Sequence, residues 1–204
     1  MTAVLLSVLL AAQPRLLEPE VAAGVGVLAT SYQTFGARLG EAALAPTVTA
    51  RGVFSGFVVE GGALLSAPLV RGGTLLTTTF AARVGFSGER WAMVAGVVAQ
   101  LAPEATPALV LLPSLRGQLS FGGAGLTLGV FDHLGLVPAH LSVDVGPFSN
   151  GAFSLGWVAP LGLIGSADLS LPRGLGLRVT AFAYRLNNVE AAMVLVAGTF
   201  GGAR

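Results

Sequence analysis

The chain lacks cysteine and lysine, and charged residues make up only 10% of its 204 residues. The absence of cysteine excludes disulfide bonds, thiolate metal ligands and cysteine nucleophiles. Its eleven basic residues, all arginine, and its ten acidic residues give a net charge of +1. The arginines are dispersed, so the sequence excludes the concentrated basic surface of a nucleic-acid-binding protein. Soluble domains carry about 25% charged residues, and this chain has too few to furnish such a surface.

Long apolar helical segments are also missing, although 53% of the residues are hydrophobic. The longest stretch without a charge covers residues 145–167, and it contains two prolines, an asparagine and several glycines. These residues interrupt a helix, whereas a helical membrane span needs about 20 consecutive apolar residues. The sequence therefore predicts that the apolar residues lie in short β-strands.

Runs of apolar and small residues, separated by residues typical of turns, follow one another from residue 21 onward. The clear runs cover residues 21–32, 47–59, 74–86, 91–101, 119–131, 139–145, 151–158, 164–171, 175–186 and 191–200, and weaker runs cover 63–70 and 108–115. Asn150-Gly151 and Asn187-Asn188 are hairpin signals between such runs, because these residues tolerate a positive φ. The longer connection at residues 34–46 predicts a short helix or a mobile loop.

Aliphatic and polar side chains alternate within several runs, as they do along a strand whose two faces meet different surroundings. Leu177 and Val179 alternate with Arg178 and Thr180, for example. We predict an all-β fold, an antiparallel up-and-down transmembrane β-barrel of about 10–12 strands with short hairpins. A soluble β-sandwich, secreted or periplasmic, produces the same alternation and remains an alternative.

This pattern resembles that of bacterial outer-membrane β-barrel proteins as a broad class. Residues 1–12 form an apolar run of the length of a signal-peptide core, which leaves residues 13–204 as a single barrel domain; a buried first helix or strand is the alternative for this run. The resemblance implies export to the outer membrane, with the lipid bilayer as partner and without a cofactor. It also implies a structural or passive-transport role, and we expect a narrow lumen filled with side chains.

Four arginines lie inside or beside strand candidates, namely Arg51, Arg83, Arg116 and Arg178. An arginine that faces lipid at mid-depth costs about 2–4 kcal/mol, so we expect all four to face the lumen or to lie at strand ends. Arginines that are buried in the lumen need acidic partners. The candidate partners are Glu60, Glu89, Asp144 and Asp168.

The candidate catalytic residues are His140, Ser142 and Asp144, which alternate along one strand. The His-x-Ser spacing resembles the pair in outer-membrane lipid A deacylases, which implies a lipid-modifying hydrolase as an alternative function. Residues two apart on a strand are roughly 6.5 Å apart, beyond hydrogen-bond reach, so the sequence favours a polar ladder over an enzyme.

A metal site is the other chemistry that these polar residues suggest. Asp132, His133, His140 and Asp144 carry ligand groups that zinc accepts. No spacing in the sequence makes them converge, so it predicts no metal site.

Overall fold

The computed structural model describes residues 19–34, 37–69, 77–102, 107–148 and 151–201. They form a closed antiparallel barrel in which each strand pairs with the next along the chain and the last pairs with the first. The strands are β1 (Glu20–Thr34), β2 (Ala37–Phe54), β3 (Phe57–Pro68), β4 (Thr77–Ser87), β5 (Trp91–Leu101), β6 (Leu109–Ser120), β7 (Ala124–Phe131), β8 (Val137–Phe148), β9 (Gly151–Val158), β10 (Leu161–Ser170), β11 (Leu175–Leu186) and β12 (Val189–Gly201). The predicted all-β barrel of 10–12 strands is thereby confirmed, with twelve strands. The predicted signal peptide, residues 1–12, lies outside the described residues.

Three predicted segments differ from the observed strands. The runs at residues 47–59 and 119–131 each cross a hairpin turn, because the turn residues Ser55-Gly56 and Gly122-Gly123 are themselves small and do not interrupt the run. The prediction of a helix or loop at residues 34–46 is wrong, since β2 begins at Ala37 and pairs with β1 from Ala37 to Arg51. Cross-strand pairing with β1 therefore decides the conformation of this segment.

The two faces of the wall differ in the way that the alternation predicts. On β11, Leu177 is 40% exposed on the outside, whereas Thr180 is buried inside. Large aliphatic side chains stay exposed on the outer face of most strands. Because a closed barrel pairs its backbone groups internally, this apolar outer surface is suited to hydrocarbon rather than water.

The two ends of the barrel differ in their turns. We call the end at which β1 begins and β12 ends the terminal rim, and the opposite end the far rim. Turns at the terminal rim have two to four residues, and one of them is a short 3-10 helix, Pro172–Gly174. Exposed aromatic side chains gather beside these turns, at Phe54, Phe57, Phe86, Trp91, Phe121, Phe153 and Phe200. No helix among the described residues is long and apolar enough to span a membrane.

One connection at the far rim lies inside the barrel. β7 has only eight residues and pairs with β6 no further than Leu115, so residues Leu109 to Ser114 of β6 pair with β5 alone. The β7–β8 turn, which contains the short segment Asp132–Gly135, consequently starts well below the far rim. Its buried residues Asp132 and Leu134 pack against the interior of the barrel.

Candidate functional site in the barrel lumen

A row of alternating charges crosses three neighbouring strands. Arg51 on β2 is directly opposite Glu60 on β3, which is directly opposite Arg83 on β4. Glu60 accepts a hydrogen bond from Arg51 Nε at 2.5 Å and one from Arg83 Nη1 at 3.3 Å. Arg116 on β6 also donates to Glu60, across the lumen. One carboxylate, only 7% exposed, therefore contacts three guanidinium groups.

Asp132 in the β7–β8 turn supplies the second carboxylate of this network. Its Oδ1 atom lies 2.9 Å from Arg83 Nη2 and 3.7 Å from Arg116 Nη1. Arg83 Nε also donates to Ser114 Oγ at 2.7 Å, and Ser114 Oγ donates to the carbonyl oxygen of Phe131 at 2.9 Å. The arginine network therefore anchors the turn at two consecutive residues.

Arg178 forms a second group, which adjoins the first because Glu20 lies directly opposite Arg51 in the β1–β2 pairing. Arg178 donates to Asp168 Oδ1 at 2.6 Å, and to both carboxylate oxygens of Glu20 at 2.7 and 2.9 Å. The bidentate contact ties β11 to the first residue of β1. All four sequence-predicted arginines are thus placed inside, each with an acidic partner.

The acidic partners differ in part from the expected ones. Glu60 and Asp168 pair with arginine, whereas no ion pair among the described residues involves Glu89 or Asp144. Glu20 and Asp132 were not expected, because one begins the first strand and the other follows the last residue of β7. The sequence signal for both was their position, since each acidic residue lies directly beside an apolar run.

The β7–β8 turn has an unusual backbone. Phe131, His133 and Leu134 have φ values of 45°, 46° and 60°, in the left-handed region that non-glycine residues disfavour. Each such residue costs on the order of 1–2 kcal/mol. The ion pairs of Asp132 and the packing of Leu134 offset this cost, because both require the turn to point into the lumen.

Leu134 is at the centre of an apolar layer that crosses the lumen. The layer comprises Leu28, Ala45, Leu64, Leu134, Val137, Val158, Ile164, Phe182 and Met193. These residues come from strands on opposite sides of the barrel, and Leu134 of the turn joins them. The layer lies between the polar half of the lumen and the far rim.

A cavity of about 900 Å³ occupies the polar half. Its lining runs from Leu134 and Phe182 in the apolar layer to Arg173 and Gly201 at the terminal rim. The ionised groups of both arginine networks line it as well. This half of the lumen is therefore a cup with a polar, charge-balanced wall that runs from the terminal rim to the β7–β8 turn.

The three candidate catalytic residues all lie on the inner face of β8. His140 is 3% exposed and Ser142 is 5% exposed, so neither faces lipid. Among the described residues no hydrogen bond joins Ser142 to His140, and Asp144 Oδ2 instead accepts a hydrogen bond from Thr127 at 2.5 Å. The structure does not bring the three together as a nucleophile, a base and an acid that orients the base.

A different cluster does come together, at the β7–β8 turn. Asp132, His133 and His140 each offer a ligand atom, and these atoms all lie within 4.8 Å of one another. The two imidazole rings are 5.4 Å apart between centroids. His140 Nδ1 is buried and has no hydrogen-bond partner. Asp144, the fourth residue considered from the sequence, is not part of the cluster.

The turn sets the ionisation of two of these residues. Burial alone would raise the pKa of Asp132, but the charge of Arg116, reinforced by His133 and Arg83, holds that pKa well below its usual value. Burial lowers the pKa of His133 to about 4, although Asp132 acts in the opposite direction. At neutral pH the turn therefore presents the carboxylate of Asp132 and the neutral imidazole of His133. The unprotonated ring nitrogen of this imidazole has a lone pair.

Comparisons with known proteins agree with the fold. No family model matches the chain, and no curated protein sequence matches it. Among solved structures, the translocator domain of the autotransporter NalP from Neisseria meningitidis is similar, with a TM-score of 0.50 and 8% identity over 92% of this chain and 89% of that chain. The outer-membrane phospholipase of Salmonella typhi matches with a TM-score of 0.47 and 9% identity over 87% of this chain and 90% of that chain. The chain thus has the fold of bacterial outer-membrane β-barrels.

Proposed function

We propose that the protein is a structural barrel of the bacterial outer membrane whose lumen is closed by its β7–β8 turn. The observation that carries this proposal is the apolar layer that Leu134 joins beyond the polar cup, with residues from strands on opposite sides of the barrel. Water and ions cross an apolar constriction poorly, so the closed layer favours a structural role over passive transport.

The outer-membrane location rests on the barrel itself. An aliphatic outer surface without an open sheet requires a membrane, and single-chain antiparallel barrels of this kind are typical of outer membranes. Short turns and exposed aromatic residues at the terminal rim support a periplasmic position for that rim. The apolar run at residues 1–12 agrees with export.

A lipid hydrolase based on His140 and Ser142 is not favoured. Both side chains face the lumen, whereas the acyl chains of a lipid substrate lie against the outer surface. A serine that acts as a nucleophile also needs a base within hydrogen-bond reach.

Conductance across a planar lipid bilayer tests the proposed closure. The native protein is expected to insert without discrete conductance steps. A variant in which Asn-Gly replaces residues 133–136 shortens the hairpin and removes Leu134 from the lumen, so it is expected to conduct. Heat-modifiable gel migration of both proteins verifies that each barrel is folded. Steps in the native protein would establish passive transport instead, and a folded but silent variant would show that the turn does not close the lumen.

A further inference from the structure

We propose that Asp132, His133 and His140 form a binding site for one divalent transition-metal ion, of the class that includes Zn²⁺, at the closed end of the cup. The fold brings these residues together, because Gly129 on β7 pairs with His140 on β8 and the turn that follows β7 returns to the same level. This inference is independent of the proposed structural function.

The spacing of the ligand atoms suits one ion. Ligand atoms around a tetrahedral zinc ion, bonded at about 2.0–2.1 Å, are roughly 3.4 Å apart. The three atoms here lie within 4.8 Å of one another. Side-chain rotations that move each ligand atom by about an ångström therefore bring them to the spacing of a tetrahedral site. No strand has to move for this adjustment.

The state of His140 points to a ligand. The residue is only 3% exposed, yet its Nδ1 atom has no hydrogen-bond partner. A buried polar atom without a partner costs about 1–3 kcal/mol. A metal ion satisfies a ring nitrogen without requiring a proton on it, and the ring of His133 lies 5.4 Å from that of His140 between centroids.

The surrounding charges determine how the carboxylate is held. Both ion pairs of Asp132 use Oδ1, so the two arginines fix this carboxylate from one side. Such contacts orient a metal ligand from behind it. The positive charge of Arg83 and Arg116 is itself offset by Glu60, which contacts both.

The donor set and the cavity identify the class of ion. Two imidazoles and one carboxylate are ligands for Zn²⁺, Cu²⁺, Ni²⁺ or Fe²⁺, whereas Mg²⁺ and Ca²⁺ prefer sites made of oxygen atoms. All three residues also line the cavity, which leaves a fourth position open toward the cup. Sites with three protein ligands keep such a position for water or a small anion.

The direct test uses Cu²⁺ as a spectroscopic probe and Zn²⁺ for stoichiometry. The full-length protein is prepared in detergent without a polyhistidine tag, stripped with a chelator and supplied with one equivalent of either metal. Electron spin echo modulation of bound Cu²⁺ counts coordinated imidazoles. Because the chain contains only two histidines, a count of two identifies both His133 and His140 without any variant. We expect two imidazoles and one tightly bound Zn²⁺ per chain.

Variants provide the control. His133→Gln and His140→Gln are each expected to weaken Zn²⁺ binding at least tenfold, whereas Ser142→Ala, on the same face of β8, leaves it unchanged. A count of no more than one imidazole, Zn²⁺ bound at less than 0.1 equivalent, or equal Zn²⁺ binding by folded histidine variants would overturn the proposal. If neither histidine variant folds, the imidazole count of the native protein decides alone.

Discussion

Removal of the charge of Glu60 is expected to destabilise the barrel more than any other single neutralisation of an acid. In Glu60→Gln, three guanidinium groups lose their shared carboxylate in a site that is only 7% exposed. Arg83 and Arg116 retain Asp132, at 2.9 and 3.7 Å. Arg51 keeps no ion pair among the described residues; Glu20 lies opposite it on β1 but is paired with Arg178.

The magnitude follows from this remaining imbalance. Removal of one partner from a buried ion pair costs about 3–5 kcal/mol, chiefly because the other charge stays buried without compensation. Because Asp132 continues to compensate two of the three arginines, we expect a loss near the lower limit, about 3 kcal/mol. The matched control is Glu190→Gln, whose carboxylate has a side-chain exposure of 39% and lies 3.9 Å from Arg185. An exposed pair of this kind contributes about 0–1 kcal/mol.

The assay is equilibrium unfolding in urea of the barrel inserted in lipid vesicles. Fluorescence of Trp91 and Trp157 reports on unfolding, since both side chains are about half exposed on the outer surface, at 48% and 50%. The double variant Glu60→Gln/Arg51→Gln is expected to regain at least about 1 kcal/mol relative to Glu60→Gln. If Glu60→Gln costs no more than Glu190→Gln, or if the double variant is less stable than Glu60→Gln, then Glu60 does not compensate the buried arginines.

Five further variants, two of them controls, test the packing and the membrane surface with the same unfolding assay. Leu134→Ala is expected to cost about 2–5 kcal/mol, because it leaves a hole in the apolar layer, and a cost below 1 kcal/mol would contradict that packing. Leu141→Arg places a charge midway along β8 on the outer face and is expected to cost about 2–4 kcal/mol. Leu161→Arg, beside the far rim, is expected to cost about 0–1 kcal/mol. Equal costs would contradict the conclusion that the outer face lies in the membrane. Gly96→Ala is expected to destabilise the wall, because its Cβ would lie 1.9 Å from the carbonyl oxygen of Ala82, whereas Gly117→Ala meets nothing within 4 Å and is expected to be neutral.

The fold was accessible from the sequence because alternation is a local property. In β11, alternate residues are apolar, and this pattern alone separates an outer face from an inner one. Three predicted runs, at residues 91–101, 151–158 and 175–186, coincide with β5, β9 and β11. Asn187 is in the left-handed conformation that the predicted turn requires, with a φ of 53°.

The pairing of charges was less accessible, because it depends on register. Arg51 and Glu60 are close because one short turn separates them, so this contact is nearly local. Arg178 and Glu20 are 158 positions apart in the chain. They meet only because the barrel closes between β12 and β1. Alternation gives the face on which a side chain lies, but closure decides its neighbour.

The cluster at the β7–β8 turn could not be predicted for a related reason. A connection between two strands is ordinarily exposed. Here the turn lies in the lumen because β7 is short and because Asp132 forms ion pairs with two arginines of the lumen. The convergence of His133 with His140 is a consequence of that position rather than of their spacing in the sequence.

The most direct test of the account is labelling of single cysteines on intact bacterial cells. The native chain has no cysteine, so Asn188→Cys at the far rim and Ser55→Cys at the terminal rim each introduce one exposed thiol. A maleimide that cannot cross the outer membrane is expected to label Asn188→Cys on intact cells, and Ser55→Cys only after lysis. Labelling of Ser55→Cys alone would reverse the orientation. Recovery of both variants in the soluble fraction would contradict the membrane barrel altogether.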